Sequence, residues 1–139
     1  MLSTVRLPTD RYLLQCIYDM YQADYPGPKA AAGPGANDPY VPINVHAVAA
    51  KVGMSPELVF GRLYFHLDQK YRYKHDNGVT VSLFTLKVEE KRHAVQFPYL
   101  ASILAAQNQE FRRFAVGLTM SSVALGVSLV SLLVSILKH

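Results

Sequence analysis

The 139-residue sequence has no tryptophan and a single cysteine, Cys16. One cysteine excludes an intrachain disulfide framework and any CxxC metal or redox motif. HxxxH and HExxH spacings, a nucleophile elbow and a dinucleotide fingerprint are also missing. His46, His66, His75 and His93 fall on separate predicted elements. No catalytic residue, cofactor-binding residue or metal ligand is therefore expected, and the chain is read as a non-enzyme. Cys16 itself lies in an apolar helical pattern, where it reads as a small buried hydrophobe. The first eight residues hold no apolar run of useful length, so no signal peptide is expected. The most informative absence is charge: from Phe114 to Leu137 there is none.

That uncharged run bounds the rest. At 1.5 Å per residue its helix measures about 36 Å, enough to cross a hydrocarbon core of roughly 30 Å. The competing reading is a buried helix of a soluble protein, but so small a head has little surface with which to cover it. Arg112 and Arg113 precede the run, with Lys91 and Arg92 further upstream, whereas Lys138 and His139 follow it. The positive-inside rule then expects a cell-membrane protein crossed once, with its N-terminal domain in the cytoplasm.

The remaining sequence alternates helix and strand signals. Thr9 or Asp10 caps a helix expected from Asp10 to Tyr25, with Leu13, Leu14, Ile17, Tyr18 and Tyr21 at helical spacing and Pro26 as its stop. Residues 26–42 (PGPKAAAGPGANDPYVP) read as a flexible linker loop, because their prolines and glycines oppose regular structure. Asn44 caps a short helix with Val45, Val48, Ala49 and Val52 inward, and Gly53 ends it in the left-handed conformation. Ser55 and Pro56 open a further helix, expected to run to about Gln69. Residues 71–75 and 79–83 flank Asp76-Asn77-Gly78, a tight-turn signal. The strand alternation fails at Phe84, residues 87–91 read as a polar turn, and residues 93–97 as a short strand. Pro98 opens an amphipathic juxtamembrane helix over 98–113, continuous with the apolar run over 114–137.

Helix, short segment, helix-turn-helix and basic hairpin, in that order, resemble the winged-helix domain. The residues that carry this are Val41-Pro-Ile-Asn44 leading into residues 46–53, then 55–69, then Asp76-Asn77-Gly78 as the wing tip. The expected fold class is thus α+β: a winged-helix-like head over residues 1–97, then a long C-terminal helix that becomes one transmembrane span. A winged helix followed by one span is also similar to bacterial membrane-tethered transcription regulators, with the departure that no sensor domain is expected beyond the span.

Winged helices bind DNA, RNA or protein, so the second helix of the motif is the discriminating element. With Val59, Phe60, Leu63 and Leu67 inward, it turns Leu58, Gly61, Phe65 and Gln69 outward and leaves Arg62 at the edge. Leu58 and Phe65 cannot hydrogen-bond base edges, so this face is expected to contact a cytoplasmic protein partner. Local packing under the linker or hairpin is the bland alternative. Lys70, Arg72 and Lys74 alternate along one expected strand face, where they can meet phosphates without reading sequence; a solvated hairpin is the competing reading. In the apolar run, Gly117, Ser121, Ala124, Ser128, Ser131 and Ser135 form a stripe of small residues at an average period near 3.5, as helix pairs in lipid use. Homo-oligomerisation through this stripe is expected. The functional expectation is a membrane-anchored, non-enzymatic protein-interaction or assembly module, with a membrane-tethered DNA-binding transcription regulator as the alternative.

Overall fold

The computed structural model describes residues 7–25, 39–88 and 91–139, with no side chains described for 87–88 and 91–92. Most of the expected 26–42 linker, up to residue 38, lies outside the described residues. The chain divides into two compact units, Met1–Leu104 and Ala105–His139. The first is α+β and the second is the body of a long apolar helix.

Helix α1 (Asp10–Tyr21) starts because the Thr9 side chain accepts from the Tyr12 N–H at 3.2 Å, satisfying one of the first-turn donors. Its stripe of Leu13, Leu14 and Ile17 is completely buried, each such side chain contributing about 1.5–3 kcal/mol by removal from water. The helix tightens into a 3-10 turn over Gln22–Asp24, before Pro26. Cys16 is buried and free. Helix α2 (Val45–Val52) is capped by Asn44, whose Oδ1 accepts from the Ala47 N–H at 3.2 Å. It ends at Gly53, where φ is +73° and a side chain would be strained.

The next helix follows at once. Ser55 caps it, and it is built of α3 (Pro56–Gly61), a wide π-type segment (Arg62–Leu67) and α4 (Asp68–Tyr71). It therefore outlasts the expected end at Gln69. Strands β2 (Tyr73–Lys74) and β3 (Thr80–Val81) pair antiparallel across the Asn77-Gly78 turn, in which Gly78 has φ +85°. They form a two-stranded sheet of their own.

The main sheet is three-stranded, in the order β1-β5-β4. β1 is Tyr40–Pro42, β4 is Phe84–Val88 and β5 is Lys91–Gln96. Two expectations are corrected here. The stretch read as linker through Pro42 ends in a strand, with Val41 fully buried; Pro42 is tolerated because β1 is an edge, where a missing N–H costs little. The expected turn over 87–91 is largely strand, Lys87 pairing with Arg92 and Val88 with Lys91. Val41, Val95 and Phe84 lie abreast in register and are all buried, so this row is the sheet's contribution to the core.

Helix α5 runs unbroken over Phe97–Leu137. Its start is capped by the Gln96 side chain, which accepts from the Tyr99 N–H at 2.7 Å. Leu100, Ile103 and Leu104 are buried with the head's core, and the first unit extends to Leu104. Beyond the polar stretch over residues 107–113 the helix is uncharged and exposed from Phe114 to Leu137, and the mean hydropathy of its best 18-residue window is 2.2. It is long and apolar enough to cross a membrane.

Candidate functional site

The helix spanning α3, the π-type segment and α4 turns Val59, Leu63 and Leu67 fully inward. Its opposite side leaves Leu58 57% and Phe65 76% exposed, values that separate a surface from a core. Gln69 is exposed beside them. A methyl added at Gly61 would meet the Phe65 ring at 3.7 Å, an ordinary contact, so crowding does not demand glycine there. The Phe65 ring stands edge-on to Phe60, centroids 6.1 Å apart.

Arg62 is engaged elsewhere. Its Nε and Nη2 donate to Asp10 Oδ1 at 3.0 and 2.8 Å, and His66 Nε2 lies 3.0 Å from Asp10 Oδ2. Arg62 and His66 thus clamp the π-type segment to the start of α1. Burial pushes the Asp10 carboxyl up, but the Arg62 and His66 hydrogen bonds and charges outweigh it and hold the group below the usual carboxylate value of 3.8. A depressed folded-state value means stability that is full above the unfolded value and is lost as pH falls through the folded one. Asp10→Asn is expected to flatten this acid limb and to cost on the order of 1 kcal/mol at neutral pH, since the pair is partly exposed. Chemical denaturation at a series of pH values from neutral to acid reads both effects, and an unchanged acid limb would remove Asp10 from this role.

Lys70, Arg72 and Lys74 do not share a strand face, which corrects the expectation. Because the helix continues to Tyr71, Lys70 belongs to α4 with its Nζ 5.2 Å from the Tyr71 ring centroid, and only Lys74 lies on a strand. Arg72 donates to Asp68 Oδ2. Asp68 is the buried charged residue among those described, fully shielded from solvent. Its Oδ1 accepts from the Leu83 N–H at 2.9 Å and the Phe84 N–H at 3.2 Å. A buried carboxylate is tolerable only with such partners, and here they tie the helix to Leu83 and to Phe84, the first residue of β4. Sequence reasoning missed this residue: an aspartate followed by Gln69 and Lys70 looks like a solvated charge.

A second centre was also missed. His93 has φ +51°, uncommon for a residue with a side chain, although histidine adopts it more readily than most. This departure interrupts the β4–β5 ladder and aims the His93 carbonyl at the Ile43 N–H, 2.9 Å away. Its Nδ1 lies 3.0 Å from the Tyr64 hydroxyl, which itself donates to the Thr85 carbonyl at 3.0 Å. Burial first, and the Asp68 charge second, push the Tyr64 hydroxyl up to about 12, so it stays neutral. With that proton committed to Thr85, the hydroxyl accepts and His93 Nδ1 donates. In the neutral ring Nε2 is then the acceptor. His93 lines an open groove of about 530 Å³ with Ile43, Val45, Phe60, His46 and Glu57.

His46, His66, His75 and His93 do not gather at one point. His66 is on Asp10, His75 is beside Tyr73, and His46 and His93 share the groove. No group of three or more His, Cys, Asp or Glu able to hold a metal ion occurs among the described residues. In α5, Ser128 donates to the Ala124 carbonyl at 2.9 Å, and Thr119 and Ser122 do the same to Ala115 and Leu118. All six residues of the small-residue stripe are exposed. No protein-family model matches the chain, and no curated protein or solved structure is significantly similar to it.

Proposed function

We propose that the chain is a membrane-anchored, non-enzymatic protein-interaction module with a winged-helix-like head in the cytoplasm and one C-terminal span. The observation that carries this is the pair of large apolar side chains, Leu58 and Phe65, left in solvent on the helix a winged-helix protein would use for reading DNA. A monomer gains nothing by exposing them, whereas a protein interface uses such anchors. Arg62, which the helical spacing puts at the edge of that face, is paired with Asp10. The order of helix, strand, helix-turn-helix and hairpin supports the winged-helix reading, but with the wing assigned to β4–β5, which joins β1 in one sheet. The hairpin around Asp76-Asn77-Gly78 becomes an insertion ahead of it. The partner-facing set is Leu58, Gly61, Phe65 and Gln69.

Replacing Leu58 and Phe65 together by Glu in the full-length protein is expected to abolish cross-linked adducts in membranes. The thermal midpoint should hardly move, because surface changes of this kind fall within about 0.5 kcal/mol. A variant that no longer folds would show the two side chains to be structural. An electrophoretic shift that discriminates between DNA sequences and persists as salt is raised would replace this reading with that of a tethered regulator.

A further inference from the structure

We infer that the groove beside His93 receives a basic side chain, arginine or lysine, from the partner segment that covers Leu58 and Phe65. This deepens the interaction-module reading and rests on it. The groove has an apolar wall of Ile43, Val45 and Phe60, suited to an aliphatic stem. Its polar equipment is matched to a cationic head. His93 cannot offer Nε2 as a donor in its neutral form, because Nδ1 carries the ring proton toward Tyr64. Nε2 has no hydrogen-bond partner among the described residues, so the neutral ring keeps an open acceptor on a groove-lining side chain. Among the described lining residues Glu57 is the one carboxylate and there is no lysine or arginine, which favours a cation. Anions and neutral apolar groups would leave one or both acceptors unpaired.

The fold commits structure to this acceptor. The positive φ of His93 is a backbone cost borne within a sheet, and a fixed relay through Tyr64 to the Thr85 carbonyl sets the tautomer. Continuity with the apolar face comes from Phe60, which lines the groove and also stands edge-on to Phe65 and to His93. A segment lying across Phe65 therefore has the groove within one side chain's reach.

The probe is n-butylguanidinium, with n-butylurea as its neutral counterpart, titrated into the isotopically labelled full-length protein in micelles. Guanidinium should shift the resonances of His93, Phe60 and Val45 saturably, and urea should do so at least several-fold more weakly. His93→Asn, which suits a positive φ, should weaken the guanidinium about tenfold, the value of one charge-assisted hydrogen bond. Glu57→Gln, at an exposed site, should erase most of the preference for guanidinium over urea. Absence of shifts at His93 and Phe60, or equal binding of the two probes by the native protein, overturns the inference. Those outcomes are read independently of the Leu58/Phe65 exchange: adducts lost by that exchange with no guanidinium binding would leave the interaction face standing and remove the groove from it.

Discussion

Replacing Asp68 by Ala should cost the head about 3–5 kcal/mol. The carboxylate is fully buried and serves three donors: the Leu83 and Phe84 N–H groups and the Arg72 guanidinium. Alanine leaves the two backbone donors without a partner where water does not reach, at about 1–3 kcal/mol each. Arg72 is nearly half exposed and recovers hydration when released. The loss is therefore expected to come mainly from the backbone donors rather than the ion pair. That gives a sharp internal comparison. Asp68→Asn retains an oxygen for both N–H groups and loses only the charge, so it should cost less than half as much. Arg72→Ala should fall between the two, because it leaves a buried charge supported only by N–H dipoles. Urea unfolding of the three variants orders them, and an asparagine variant as damaged as the alanine one would show that charge, not backbone satisfaction, is what the site supplies.

Asp68 also shows where the sequence is legible and where it is not. Local chemistry reads well: Thr9, Asn44 and Ser55 cap the helices they were expected to cap, and Gly53 has the positive φ its place after α2 requires. Val59, Leu63 and Leu67 are inward and Leu58 and Phe65 outward, as helical spacing alone expects. What fails is long-range. β1 is hidden in a proline- and glycine-rich stretch because its strand character comes from β5, more than fifty residues away. The hairpin with the strongest turn signal is not the one that joins the main sheet, since turn chemistry fixes a local reversal but not a sheet partner. A helix ending at Gln69 would put Lys70, Arg72 and Lys74 on one strand face; the two further helical residues, Lys70 and Tyr71, remove that alignment. The His93–Tyr64–Thr85 relay joins three elements, and no spacing in one dimension announces it.

The apolar helix carries the other large expectation: the full-length protein should stay in the membrane pellet through alkaline carbonate, and residues 1–113 should leave it. Thirteen Leu, Ile, Val and Phe side chains lie between Phe114 and Leu137. At roughly −0.3 to −0.6 kcal/mol each near a bilayer centre they favour insertion by about 4–8 kcal/mol before the polar residues are counted. The hydroxyls oppose this, but Thr119, Ser122 and Ser128 already donate to carbonyls of their own helix, which reduces their cost in hydrocarbon. The head should survive the cut, because its buried cluster reaches only to Leu104. The same helix tests self-association. Of the stripe, Ser128 spends its proton internally, while Gly117 and Ala124 contribute smallness alone. Close approach of backbones, more than hydroxyl bonding, is then the expected source of pairing. In a membrane reporter of residues 110–139, Ser121, Ser128 and Ser135 changed together to Leu should abolish the signal, and changed together to Ala should retain most of it. A signal lost equally with Ala would make the hydroxyls the contact, and one kept with Leu would exclude the stripe as an interface.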